Sequence, residues 1–220
     1  MKMPPDLVIF DCDGVVVDSE TITARVLVDN LSRHGLPITT DALSDFFLGG
    51  TMMGVEAKAR EMGARLPETW LDDTYAEVFA ALHKDVTPIA GIVDVLDALD
   101  AAHIPFAIGS NGPHEKMRIT LTRTNLAGRF ASRVYSREDV PRPKPAPDVY
   151  LKAAFDAGIP PDRCVVIEDS PNGARAAKAA GMYCLGYAAE TAPARLAPVV
   201  DEVFQSMSEL PAYLGLGREA

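Results

Sequence analysis

Four short clusters of polar residues carry side chains suited to acid, base and anion chemistry. Asp11-Cys12-Asp13-Gly14 sets two carboxylates two residues apart, directly behind the apolar run Leu7-Val8-Ile9-Phe10. Carboxylates at the end of such a run are partly desolvated and need a cation or hydrogen-bond donors to compensate them. A magnesium ion, which takes oxygen ligands, would do so; a sharp bend at Gly14 with two surface acids is the plainer alternative. Ser110-Asn111-Gly112, ahead of Pro113, offers a hydroxyl, an amide and backbone N–H groups where a helix begins. That combination attracts an anion such as phosphate, although Ser or Asn before a proline also makes an ordinary helix cap. Lys144 sits between two prolines in Arg142-Pro143-Lys144-Pro145, whose stiffness either aims one ammonium group into a site or leaves it in a solvated loop. Glu168-Asp169-Ser170, before Pro171, is a second acid pair or a helix start.

The elements that must position these clusters are legible from hydrophobic pattern. Leu7 to Phe10, Ile104 to Gly109 and Cys164 to Ile167 are short apolar runs, each followed by small or acidic residues and then by a helical pattern. Strand, loop, helix order repeated in this way predicts an α/β fold: an open parallel sheet with helices on both faces. Val134-Tyr135-Ser136 reads as a further strand, the stretch from Pro141 to Pro147 as a loop, and the stretches from Pro147 to Ala157 and Asn172 to Ala180 as helices. Each cluster then lies at or beyond the carboxyl end of a strand, where ligands bind in such sheets, so all four converge on one crevice. Ile92, Val95, Leu96 and Leu99 mark a surface helix packed on the sheet, with Asp94, Asp97 and Asp100 on its solvated side.

Between the first and second runs lies an insertion of helical periodicity. Ile22, Val26, Leu27 and Leu31 form one stripe, Leu71, Tyr75, Val78, Phe79 and Leu82 another, and Thr51 to Gly63 gives a third helix. The division is therefore an α/β core of residues 1–17 and 88–220 and a helical cap of residues 18–87. Gly49-Gly50-Thr51 reads as a turn between cap helices or as a loop facing the site.

The 220 residues carry a formal charge of −10 with 48% hydrophobic and 24% charged side chains. This is an ordinary globular balance, and it speaks against partners that need a basic patch, nucleic acid and anionic membrane surfaces alike. Cys12, Cys164 and Cys184 sit in apolar runs that read as strands, without metal-ligand or disulfide spacing. No secretory signal is evident and no segment approaches the ~20 apolar residues of a membrane span, so a cytoplasmic monomer is expected.

Acid pair, hydroxyl, lysine, acid pair, in that order, matches the four motifs of the haloacid dehalogenase-like phosphatases. FDCDGVVVDSE closely resembles the first motif of their beta-phosphoglucomutase and phosphoglycolate-phosphatase branch. The resemblance implies a Rossmann-like catalytic core with an inserted helical cap that closes on hinges near Val15 to Asp18 and Asp85 to Pro88, and magnesium-dependent phosphoryl transfer to a small phosphate ester. It implies Asp11 as the nucleophile forming an aspartyl-phosphate, and Asp13 as general acid and base. Magnesium would be bound by Asp11, the Asp13 backbone carbonyl and Asp169, with Glu168 assisting. Ser110, Asn111, Gly112 and Lys144 would hold the transferring phosphoryl oxygens. Known mutases of that branch carry a histidine where this chain has Thr23 and usually an arginine where it has Gly50, so hydrolysis is expected and phosphomutase chemistry is the alternative. Ser110 to Pro113 with Lys116 and Met117 resembles the segment of 6-phosphogluconate phosphatase-type enzymes, pointing to a sugar phosphate or phosphorylated sugar acid. A receiver-type signalling domain also sets an acceptor Asp, a hydroxyl and a Lys around magnesium, but it is about half this length and has no second Asp or cap. His34, His83, His103 and His114 form no metal cluster; His114 alone follows the phosphate loop and reads as a surface helix residue. Trp70 reads as packed on a cap helix.

Overall fold

The computed structural model describes residues 4–40, 42, 43 and 51–216. Six parallel strands form one sheet: β1 (Leu7–Phe10), β4 (Phe106–Ser110), β5 (Val134–Ser136), β6 (Cys164–Glu168), β7 (Tyr183–Tyr187) and β8 (Glu202–Phe204). Their order is β5-β4-β1-β6-β7-β8, with Val8 opposite both Phe106 and Val165. All four β1 side chains are buried. Val8 and Phe10 belong to the apolar cluster on one face, Leu7 and Ile9 to that on the other, which is why the strand reads as a continuous apolar run and not as an alternation. Phe10, Phe106 and Phe130 meet edge to face, with ring centroids 5.3 to 6.5 Å apart.

Two layers of helix cover the sheet, as the α/β reading requires. The Phe10 face receives α4 (Ile92–Ala101), α5 (His114–Arg123) and α6 (Ala127–Phe130). Ile92, Val95, Leu96 and Leu99 are buried there, whereas Asp97 and Asp100 lie outside and pair with Arg129 at 2.9 and 2.7 Å. The Ile9 face receives α7 (Asp148–Ala157) and α8 (Pro171–Ala179). Short alanines at 174, 176 and 177 bring α8 close to the strands. Two four-residue helices, α9 (Pro193–Leu196) and α10 (Leu210–Tyr213), follow β7 and β8 respectively. Cys164 and Cys184 lie in strands, but Cys12 stands two residues past β1 in the following turn; all three thiols are buried and free.

The insertion contains α1 (Glu20–Arg33), α2 (Met52–Glu61) and α3 (Trp70–Asp85). Its two connections to the sheet layer lie side by side as a small antiparallel ribbon, β2 (Val17–Asp18) against β3 (Thr87–Pro88). Both expected hinge segments are thus paired to each other, a feature that two-residue strands are too short to announce in sequence. α1 packs on α3, where Trp70 Nε1 donates to Asn30 Oδ1 at 2.6 Å inside the apolar contact. The fully buried face of α3 is Trp70, Thr74, Val78 and Leu82. The stripe expected from sequence is therefore rotated: Leu71, Tyr75 and Phe79 are only partly buried, and the last two line a cavity. Thr51 caps α2 by accepting from Gly54 N at 3.2 Å. The other two residues of the expected cap loop, Gly49 and Gly50, lie outside the described residues. Leu27, Trp70 and Leu82 belong to the same contiguous apolar cluster as Val8 and Phe10. No helix among the described residues is long and apolar enough to cross a membrane.

Candidate active site

The ends of β1, β4 and β6 place three of the four polar clusters around Lys144, which comes from the loop after β5. Its ammonium is 2.6 Å from Asp11 Oδ1 and 2.7 Å from Glu168 Oε1, with the lysine side chain 3% exposed. The loop that delivers it is tied to the second cluster: Lys144 N donates to Asn111 Oδ1 at 2.8 Å, and Asn111 Nδ2 donates to Lys144 O at 3.2 Å. The Lys144–Pro145 peptide bond is cis. Tyr150, from α7, lies beneath the ammonium, its ring centroid 4.6 Å from Nζ, and its hydroxyl donates to Glu168 Oε1 at 2.8 Å. Ser170 donates both its backbone N–H and its hydroxyl to Glu168 Oε2. Burial works to lower the proton affinity of Lys144, but the charges of Asp11 and Glu168 outweigh it and hold the lysine above its ordinary value.

Asp13 is governed by a different cation. Lys116, in the first turn of α5, reaches to 2.7 Å from Asp13 Oδ1, and the Ser19 hydroxyl donates to the same oxygen. Burial would raise Asp13; the charge and hydrogen bond of Lys116, with help from Ser19, reverse this and hold it below the ordinary carboxylate value. The turn between them is closed by Val16 and Val17 N–H groups donating to Cys12 O. Gly14 there has φ +75°, and a Cβ at this position would stand 2.1 Å from Asp169 Oδ2. Only glycine lets the backbone approach that carboxylate so closely.

Asp11, Glu168 and Asp169 place carboxylate oxygens within 4.8 Å of one another. Asp11 is pushed up to about 7, first by burial and then by Glu168 and Asp13, against the pull of Lys144. Asp169 is raised well above the ordinary range by burial and by Glu20, Glu168 and Asp11. Among the described residues no cation or donor contacts the Asp169 carboxylate, although the residue is only 6% exposed. A buried carboxylate that no cation or donor meets among the described residues, beside another whose charge is suppressed, fits a site for a divalent cation with oxygen ligands. Glu168 fits that set less well: four donors fill its four acceptor positions. Its expected metal role would require it to give one up, and what it visibly does is anchor Lys144.

The second cluster differs from a helix cap. α5 is preceded by Pro113, with no side-chain cap from Ser110 or Asn111. The Ser110 hydroxyl accepts from Gly112 N at 2.9 Å, and the Ser136 hydroxyl donates to Gly112 O at 2.7 Å, so the loop is shaped from within and from β5. Gly112 is absent from the positive-φ residues, so the loop here does not rest on glycine's conformational freedom. Asn111 spends its side-chain amide on the Lys144 backbone and positions that lysine, where a direct hold on phosphoryl oxygens was expected. His114 pairs with Asp139 at 2.9 Å and does not line the cavity.

Over these groups lies a cavity of about 210 Å³. Asp11, Asp13, Ser110, Lys116, Lys144 and Asp169 line its floor; Thr23, Leu27, Thr51, Tyr75, Val78 and Phe79 form the opposite wall, and Arg137 lies on its edge. Glu20 also lines it, open to the cavity yet surrounded by protein, and burial together with Asp13 raises its carboxyl. Thr23 turns its hydroxyl back to Ser19 O at 2.8 Å. Sequence reasoning assigned no chemistry to Lys116, Ser19, Tyr150 or Arg137. For Lys116 a signal existed: three residues past Pro113, it falls on the helix face that looks back at the loop.

A family model described as haloacid dehalogenase-like hydrolase matches residues 5–181. Among curated proteins the chain is similar to the 6-phosphogluconate phosphatase of Escherichia coli, at 28% identity covering 94% of this chain and 93% of that one. Hexitol phosphatase A of the same organism is 31% identical over 92% of this chain and 91% of its own. Among solved structures, a HAD family hydrolase from Deinococcus radiodurans with bound phosphate and sodium superposes with a TM-score of 0.83, at 36% identity over the whole of both chains.

Proposed function

Since the chain belongs to the haloacid dehalogenase-like hydrolases, we propose that it is a magnesium-dependent phosphatase. On this reading it hydrolyses a small phosphate monoester, a sugar phosphate or phosphorylated sugar acid, through an aspartyl-phosphate on Asp11. The observation that carries the proposal is the company Asp11 keeps: Lys144 at 2.6 Å, Asp13 two residues away, and beside it Asp169, which meets no cation among the described residues. The phosphate-handling activities in the names of the E. coli relatives support the substrate class.

Asp11, Asp169 and the Asp13 backbone carbonyl would hold the magnesium, with Glu168 lending charge from behind Lys144. When bound, the metal supplies positive charge that lets a carboxylate approach an anionic phosphate. Lys144 and the Ser110 loop hold the phosphoryl oxygens while a carboxylate oxygen of Asp11 attacks the phosphorus in line. As that bond forms, the ester P–O bond breaks and Asp13 gives its proton to the leaving alcohol oxygen. Asp13 stands ionised in the resting site, and the arriving negative phosphate raises its proton affinity, so the proton comes with substrate binding. Asp13 then takes a proton from water, the water oxygen attacks the phosphorus, and the Asp11–phosphorus bond breaks to release phosphate. Residues 18–87 act as a cap that excludes water while the phosphoenzyme forms. No imidazole lies at the Thr23 position to delay this hydrolysis, and the Thr23 hydroxyl is occupied by Ser19 O.

Free phosphate released from p-nitrophenyl phosphate and from a panel of sugar and sugar-acid phosphates tests the proposal. Release should require magnesium, stop with EDTA and fall to background in Asp11→Asn. Undiminished turnover by Asp11→Asn would refute the nucleophile, and conversion of glucose 1-phosphate to glucose 6-phosphate without free phosphate would make the protein a mutase.

A further inference from the structure

Three cations line the cavity among the described residues, and two are committed: Lys144 to Asp11 and Glu168, Lys116 to Asp13. Arg137 is not. Half-buried at the cavity edge, it meets no carboxylate and makes a single side-chain hydrogen bond among the described residues, 3.2 Å to the hydroxyl of Tyr75 on α3. Resting on the phosphatase reading above, we propose that Arg137 and Tyr75 are specificity-determining residues that seat a carboxylate at the end of the substrate remote from the phosphate ester.

The backbone that carries Arg137 is fixed in advance. It opens a single 3₁₀ turn, Arg137–Asp139, closed by a capping box in which Ser136 Oγ accepts from Glu138 N and Asp139 accepts from Ser136 N. The same turn is fastened to the phosphate loop: Ser136 donates to Gly112 O at 2.7 Å, His114 N donates to Glu138 at 2.9 Å, and His114 Nε2 meets Asp139 at 2.9 Å. A cation held in fixed relation to the transferring phosphate site measures the distance to a second charge on the same molecule. Tyr75 oxygen accepts from Arg137, leaving its own O–H to donate beside the guanidinium fork, a pairing suited to a planar carboxylate. Phe79, beside Tyr75, lines the same wall, where an unpaired cation gains most from a counter-ion. The charge count favours a carboxylate over a second phosphate: one uncommitted guanidinium balances a monoanion, and no further free cation lines the cavity among the described residues to balance a dianion.

The full-length protein with magnesium is assayed on 6-phosphogluconate, on glucitol 6-phosphate, which has a neutral hydroxymethyl in place of the carboxylate, and on fructose 1,6-bisphosphate. Wild type should prefer the acid to the alcohol by kcat/KM. In Arg137→Gln that preference should fall about tenfold or more, through KM, with partial recovery in Arg137→Lys and a smaller loss in Tyr75→Phe. A merely structural role would depress acid and alcohol alike and leave the ratio unchanged, which would overturn the inference. So would a wild-type preference for the bisphosphate that Arg137→Gln removes. If wild type releases no phosphate even from p-nitrophenyl phosphate, the phosphatase reading itself fails; if it does and only the ratio is indifferent to Arg137, this inference fails alone.

Discussion

Asp11 and Asp13 are two residues apart, yet their proton affinities move in opposite directions. Each answers to a different environment: Asp11 shares Lys144 with Glu168 and is raised to about 7, while Asp13 has Lys116 and Ser19 to itself and is lowered. Separation of this kind is how one site would keep the proposed nucleophile and acid–base group distinct. In Lys116→Met the cation that lowers Asp13 is gone, so its carboxyl rises. Whether Asp13 limits the rate as acid or as base, the limb it contributes to the pH–rate profile should move to higher pH; a shift to lower pH, or none, would remove Lys116 from this role. The two members of the pair were not equally legible. Asp11 and Asp13 stand out because carboxylates seldom follow a fully buried apolar strand uncompensated. Lys116 looks like any helix lysine, and Tyr150 like any core aromatic, until the third dimension puts them against a carboxylate.

At the scale of elements, the site is a matter of how closely loops and helices approach. A Cβ on Gly173 would lie 1.5 Å from Glu168 Oε1, so α8 rests its first turn directly on the carboxylate that anchors Lys144. Gly173→Ala must push the helix or the carboxylate aside; we expect a loss of about 1–3 kcal/mol in chemical denaturation together with reduced turnover. Full activity and stability would show that the contact is slack. Strands β1 and β6 were readable because burial on both faces leaves a continuous apolar signature, and α4 because Ile92, Val95, Leu96 and Leu99 are buried while its acids face outward. The stripe on α3 misled because a cavity wall made of Tyr75 and Phe79 has the same composition as a core face; apolarity does not distinguish empty space from packed neighbours. The β2·β3 ribbon carries no period at all in two-residue strands.

For the whole molecule, the acidic floor ties folding to pH and, on the proposed reading, to metal. Asp11 at about 7 binds its proton more tightly in the folded chain than in the unfolded one, and Asp169 shifts the same way. The folded state therefore holds more protons than the unfolded state between about pH 4 and 7, and stability without metal falls as pH rises through that window. In EDTA the melting temperature should decline from about pH 5 to 7, less steeply in Asp11→Asn. Magnesium should raise it more at pH 7.5 than at pH 5, since protons and the cation compete for the same oxygens. A melting temperature that climbs over this range without metal would contradict the suppressed charge of Asp11.

Because Val17–Asp18 and Thr87–Pro88 lie hydrogen-bonded to each other, the segment between them leaves the sheet layer and returns at one spot. Lengthening, shrinking or replacing that segment changes no strand order and moves none of Asp11, Lys144 or Asp169, since its two attachment points are already neighbours. If residues 18–87 are the cap proposed above, evolution can treat them as an exchangeable cassette, trying new ceilings over an unaltered floor. The same geometry lets an experimenter graft the corresponding segment of a relative at those four residues and transfer selectivity without rebuilding the chemistry.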